Sequence, residues 1–360
     1  MLKLAGYFMV FRAISGLMLF CLSSMAVWAD ELKINPEHPE QYTVVKGDSL
    51  WEISGKFLQH PWQWPQLWKN NPQIKDPHWI YPGDTLYFSY VDGVPSLSLA
   101  RTNSGMGYTG EDKIEPTVRE SPIQQAIKII PTDAISQFLI SPKVVSSDEL
   151  KNAPYVIGIA TDERLIAGAG DRVYVRAIEQ PAGLAYTIFR QGEPYFSPQT
   201  HELLGYEAEY LGEAILQAAG DPATLLIKSS RRQVQLGDRL IINNINNLAL
   251  NYFPRPPDSP LVAQIIRVMG GITQIGQHDI VVIDKGKADG LEEGHTLDIF
   301  RNGRVVVDKY HSQEAEAVKL PDELAGVLMV FRVFDRVSYA LVMEATGAIH
   351  VFDRVQTHDQ

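Results

Sequence analysis

Residues 42–86 hold all but one of the chain's six tryptophans, and a Gly-Asp pair brackets them at each end. Tyr42-Thr43-Val44-Val45 enters as a β-branched run and Lys46-Gly47-Asp48 breaks it. Ser49-Leu50-Trp51-Glu52 then has the Ser-x-x-Glu form of a capped helix start. In it Ser49 Oγ accepts from the Glu52 amide and the Glu52 carboxylate accepts from the Ser49 N–H. Leu50, Ile53, Ser54 and Phe57 follow at helical spacing. A second helix is expected from Pro61, since proline is tolerated at the first helical position. Trp64, Leu67 and Trp68 form its inward stripe, and Asn70-Asn71-Pro72 closes it. Pro82-Gly83-Asp84 turns the chain into Thr85-Leu86-Tyr87-Phe88. The order strand, helix, helix, strand over so few residues allows only a very small core, and large aromatic side chains must fill it or flatten its surface.

Those residues resemble the LysM module, a βααβ domain that binds glycans containing N-acetylglucosamine. The likeness rests on Tyr42, the run Val44-Val45-Lys46-Gly47-Asp48-Ser49-Leu50, Trp51, Ile53, Leu67, Asn71-Pro72, and Ile80-Tyr81-Pro82-Gly83-Asp84-Thr85-Leu86. The connection 73–79 is longer than the family's. The resemblance implies a groove between the loop Gly47-Asp48-Ser49-Leu50 with Trp51 and the segments Asn71-Pro72-Gln73-Ile74 and Ile80-Tyr81-Pro82. An acetamido sugar presents an N–H, a C=O, a methyl and an apolar ring face, so such a groove needs backbone amides beside apolar walls. Trp64 and Trp68 read as core. Trp51 and Trp79 read either as core or as walls of the groove.

The chain around this stretch has 360 residues, 45% of them apolar, and a formal charge of −11. No basic stripe is available to displace counterions from nucleic acid, and none to attract anionic lipid. Residues 1–29 begin with Lys3 and Arg12, continue through an uncharged apolar run and end in Val27-Trp28-Ala29. This pattern is that of a secretory signal peptide cut before Asp30 and predicts a periplasmic protein. Cys21, the one cysteine, leaves with the leader, so neither disulfides nor a thiol nucleophile are expected.

The expected fold class is α+β: the small βααβ module at 38–90, then a mainly β region of two related units. Residues 91–121 read as a linker rich in Ser, Gly, Thr, Pro and Glu, and 122–153 as an adaptor segment. In the adaptor Thr132-Asp133 offers a cap for a short helix through Phe138. From Pro154 short β-branched runs alternate with Gly-Asp, Asp-Gly and Asn-Gly turns. Leu226-Ile227 and Val234-Gln235-Leu236-Gly237-Asp238-Arg239-Leu240 align without gaps on Leu341-Val342 and Ile349-His350-Val351-Phe352-Asp353-Arg354-Val355. Glu202-Leu203-Leu204-Gly205 echoes Glu323-Leu324-Ala325-Gly326, and Ile188-Phe189-Arg190 echoes Ile299-Phe300-Arg301. The units are placed at 154–250 and 260–357. The strand 327–331 is apolar throughout, which means burial on both faces or an interaction edge.

None of the nine histidines has His-x-His or His-x-x-x-Asp spacing for zinc, and His201-Glu202 lacks the second histidine of a zincin helix. Gly286, Gly290 and Gly294 lack the Lys-Ser/Thr ending of a phosphate loop and read as three positions of positive φ between strands. Carboxylate pairs for glycan cleavage have no sequence spacing of their own. The expectation is a binding protein without catalytic, metal or cofactor site. The alternatives are a wall-remodelling hydrolase and a general cell-wall LysM protein.

A second resemblance is carried by 280–299 with Phe331-Arg332-Val333-Phe334-Asp335-Arg336-Val337-Ser338-Tyr339-Ala340-Leu341-Val342. These are similar to the C-terminal domain of flagellar assembly proteins of the FlgT type. Leader, LysM, linker and such a domain together resemble the secretin-associated TsaP family of type IV pili. That resemblance implies peptidoglycan and an outer-membrane secretin as partners, with several copies around a ring.

Overall fold

The computed structural model describes residues 32–68, 80–91, 93–100, 130–131, 135, 138, 143–161, 164–178, 183–243, 252–269, 274–308, 310 and 316–358. The leader, Asn71-Pro72, Ile74, Trp79 and the proposed cap Thr132-Asp133 lie outside them.

The N-terminal module has the expected order. Strand β1 (Gln41–Thr43) precedes helix α1 (Leu50–Phe57), a 3-10 turn (Pro61–Gln63), helix α2 (Trp64–Trp68) and strand β2 (Thr85–Val91). The Ser49–Glu52 capping box is closed in both directions, at 2.9 Å and 3.3 Å. One difference appears at the module's end. Residues expected to open the linker at 91 instead turn back as β3 (Val94–Ala100), which pairs with the whole length of β2. Gly93, at φ +81°, makes the tight reversal possible. Pro95 and two serines disguise the strand, yet Ser96 and Leu97 are buried against the module.

The β region begins with β4 (Lys143–Val145) and α3 (Ser147–Asn152), the helix capped by a second such box, Ser146 with Glu149. Then come β5 (Tyr155–Ile159), β6 (Ile166–Ala167), β7 (Arg172–Arg176), β8 (Ala185–Phe196), β9 (Leu203–Ala218), β10 (Ala223–Ser230), β11 (Val234–Gln235) and β12 (Arg239–Ile242). Pairing runs β10-β7-β5-β12-β8-β9, and β10 also pairs with β9, so six strands close into a ring with β4 on its outside. The second unit holds β13 (Val262–Val268), β14 (Ile280–Ile283), β15 (Thr296–Arg301), β16 (Val305–Asp308), β17 (Glu316–Lys319), β18 (Glu323–Val333), β19 (Ser338–Ala345) and β20 (Arg354–Gln356). Its closed barrel runs β13-β14-β19-β18-β15-β20.

The gap-free sequence repeat places β10 on β19 and β12 on β20. With β5, β7, β8 and β9 taken as β13, β14, β15 and β18, both rings have the same strand order. The repeat in sequence is therefore a repeat of a whole six-stranded barrel. Among the described residues, the strand hairpin β16–β17 is an insertion of the second copy.

The two barrels differ on one face. In the second, alternate residues of β14, β18 and β19 fill the interior: Val281, Ile283, Leu328, Val330, Ala340 and Val342. The residues between them are just as apolar, and they are buried on the outside. Ile280, Val282, Met329, Phe331, Leu341 and Met343 are all at most 3% exposed. Strand β18 is thus buried on both faces and paired on both sides, with β15 and β19. Of the two expectations for 327–331, burial holds and the free edge does not.

The glycine trio of the second barrel also differs from expectation at one position. Gly290 and Gly294 do have positive φ, +85° and +93°. Gly286 is extended, φ −142°. Its constraint is contact: a Cβ there would lie 2.4 Å from the Phe334 carbonyl oxygen, because the next two amides donate to Phe334 and Asp335.

Candidate functional site

The N-terminal module contains two copies of one turn, the first leading directly into α1. In the first, the Val45 N–H donates to Asp48 Oδ2 (2.9 Å) and the Asp48 N–H to the Val45 carbonyl (3.2 Å). In the second, the Tyr81 N–H donates to Asp84 Oδ2 (3.0 Å) and the Asp84 N–H to the Tyr81 carbonyl (3.0 Å). The residue before each aspartate sits at positive φ, Gly47 at +104° and Gly83 at +96°. That requirement explains the Gly-Asp pairs: glycine takes the left-handed position and the aspartate braces it. The turns are tied together, since the Val44 amide donates to the Asp84 carbonyl and the Gly83 amide to the Val44 carbonyl, at 2.9 and 2.8 Å.

Asp48 also accepts from the Tyr42 hydroxyl at 3.0 Å. Burial, that bond and the charges of Asp48 and Glu52 push the Tyr42 phenol up to about 12. Lys56 Nζ lies 4.9 Å from the centre of the Tyr42 ring. Tyr42 is therefore a neutral donor at any physiological pH, and the Asp48 carboxylate is committed to the turn.

Of the residues assigned to the groove, Gly47 is exposed, while Asp48, Tyr81 and Pro82 are half-buried. Ser49, Leu50, Trp51 and Ile80 point inward and are at most 4% exposed. What they can give a ligand is backbone. Among the described residues, neither the Lys46 nor the Gly47 amide has a hydrogen-bond partner. The first amides of α1, at Leu50 and Trp51, lack intrahelical acceptors as at any helix start. Such a row of donors beside Tyr81 and Pro82 suits a carbonyl or hydroxyl oxygen above an apolar ring face. Gly83-Asp84, outside the expected groove, repeats the Gly47-Asp48 turn, and the second Gly-Asp pair was the signal for it in the sequence.

Two of the tryptophans meet rings from outside the module. Trp62 stacks on the His358 ring at 3.9 Å and 8°, and Trp64 lies 6.0 Å from the Phe253 ring. His358 and Phe253 belong to the second barrel and the connector leading into it. Among the described residues no cluster of His, Cys, Asp and Glu could hold a metal ion.

A family profile for the LysM domain matches residues 42–89. A protein of Bacillus subtilis (strain 168) described as "Uncharacterized protein YqbP" is 41% identical over 58 residues, 13% of this chain. The match spans about a quarter of that relative's length, 26%. The chain thus carries a LysM domain, a glycan-binding module, followed by a mainly β region.

Proposed function

We propose that this protein is a periplasmic tether that grips peptidoglycan with its LysM domain and holds an outer-membrane complex with its barrels. The observation that carries the reading is the match of residues 42–89 to a glycan-binding module whose paired turns leave backbone donors at the surface. The leader at 1–29 supports export, and the likeness of 280–299 and 331–342 to FlgT-type domains supports a secretin of the type IV pilus class as the partner. The role is one of binding: no step of covalent chemistry is assigned to any residue.

Sedimentation with insoluble peptidoglycan tests the wall half. The full-length protein is expected in the pellet, and Gly47→Val should weaken binding roughly tenfold, about 1.4 kcal/mol. A side chain at Gly47 meets no protein atom within 4 Å, so it would obstruct the loop's amides rather than the core. Gly93→Val imposes the same backbone strain at φ +81° away from the turns and should pellet like wild type. Equal loss in both variants would show that strain, and not the groove, decides binding. Crosslinking in intact envelopes, followed by capture of the full chain, tests the other half. Recovery without any outer-membrane ring component removes the secretin from the proposal.

A further inference from the structure

The two barrels offer an internal comparison. In the first, the outward positions of β7 are Arg172, Tyr174 and Arg176, all exposed, and those of β10 are Thr224, Leu226 and Lys228, none of them buried. The matching outward positions of the second barrel are Ile280 and Val282 on β14 and Tyr339, Leu341 and Met343 on β19, all at most 3% exposed. An identical strand order thus carries a mixed, solvated face once and a wholly apolar, covered face once. Apolar burial of this extent stabilises only what is covered, and an uncovered face of this kind invites aggregation. The second barrel is built to have something on it.

The cover comes from the chain itself: Tyr195 and Leu204 of the first barrel's β8–β9 hairpin on one part, and the N-terminal module on the rest. Trp62, Trp64 and Trp68 form one continuous buried cluster with the outer face of β14, β18 and β19. The ring contacts are specific. His358, under Trp62, is held by Asp298 Oδ1 at 2.7 Å and Thr296 Oγ1 at 3.0 Å, both on β15. Phe253, beside Trp64, is pinned because Gly294 lets its backbone pass where a Cβ would lie 2.6 Å from the Phe253 carbonyl oxygen. Ile130 and Ile135 join the same cluster, and Arg332 Nη1 donates to the Phe138 carbonyl at 2.9 Å.

We infer that the apolar outer face of the second barrel is a docking surface for the LysM module's tryptophan face, so that the two act as one rigid body. Among the described residues, the hydrogen bonds of the turns at 45–48 and 81–84 all stay within the module, which leaves glycan binding and docking compatible. Load from the wall then passes to the barrel across the interface and does not depend on the covalent connection between them. Only this last consequence rests on the glycan reading.

The test cuts that connection. A specific protease site is inserted within residues 101–129 of the full-length protein, and complete cleavage is verified on a denaturing gel. The two halves are expected to elute from a sizing column as one peak at low micromolar concentration. The pair of changes Trp62→Ala and His358→Ala should split them, with the circular dichroism of each half unchanged. Two peaks from the wild-type halves overturn the proposal. So does a variant whose halves stay together as tightly as the wild type's, because the tryptophan face would then not be what holds them. Spinning the cut protein with insoluble peptidoglycan adds the wall: the barrel half should follow the LysM half into the pellet. One peak on the column with nothing in the pellet would leave the docking standing and refute the glycan reading alone.

Discussion

Phe352 occupies, in the second barrel, the left-handed position that Gly237 fills in the first. The turn is the same in both. The Gln235 amide donates to Asp238 Oδ2 and the His350 amide to Asp353 Oδ2. It recurs at Gly168 with Asp171 and Gly276 with Asp279, and twice in the LysM domain. Four of the six turns carry glycine before the aspartate and were legible as Gly-Asp. The other two carry His278 at φ +68° and Phe352 at +75°, and nothing in their sequence announces the turn. A side chain in this region costs about 1 kcal/mol or more. Phe352→Gly should therefore stabilise the fold by about 1 kcal/mol at most, read as a higher thermal midpoint, since glycine also frees the unfolded chain. Gly237→Ala should destabilise it by a similar amount. A destabilised Phe352→Gly would mean that the half-exposed ring holds packing worth more than the strain.

At the scale of the element, β18 decides what the second barrel can do. An unbroken apolar run fits burial and an interaction edge alike, and the sequence favours burial only because an exposed apolar edge invites aggregation. The register chooses. Shifts in pairing between Val327 and Leu328 and between Val330 and Arg332 mark bulges. Bulges change which side successive residues face, and the outward set so produced is covered. Met329→Asp would place a carboxylate where no water reaches, on a residue 0% exposed. The expected loss is large, about 3 kcal/mol or more, read as a collapse of the thermal midpoint. A folded variant with an unchanged midpoint would mean that the face is open in solution. Strand β3 of the N-terminal module teaches the converse lesson. A strand of Pro, Ser and Leu looks like linker until a turn glycine and a long partner such as β2 are placed beside it.

For the whole molecule, the LysM domain was legible because its constraints are local: a capping box, two glycine turns and helical spacing within fifty residues or so. The barrels were legible only as strands and a partial repeat, since ring closure depends on pairings such as β13 with β20 that are far apart in sequence. How the barrels meet could not be read at all, because it rests on side chains brought together from different rings. The tip of the β8–β9 hairpin reaches onto the second barrel. There Arg336 binds Glu202 through two hydrogen bonds of 3.0 Å, and Gln199 donates to Gln264 at 2.7 Å. Arg267 binds Glu207 at 3.0 Å and lies 4.9 Å from the Tyr195 ring centre. The Arg267–Glu207 pair is the more buried, its side chains 30% and 23% exposed, so water screens it less than the outer pair. Arg267→Glu should set two carboxylates against each other there, cost about 2 kcal/mol and split one unfolding transition into two. Adding Glu207→Arg restores the pair with its direction reversed and should return most of the midpoint and the single transition. If the double change is no better than the single one, the Arg267–Glu207 pair is not what couples the two barrels.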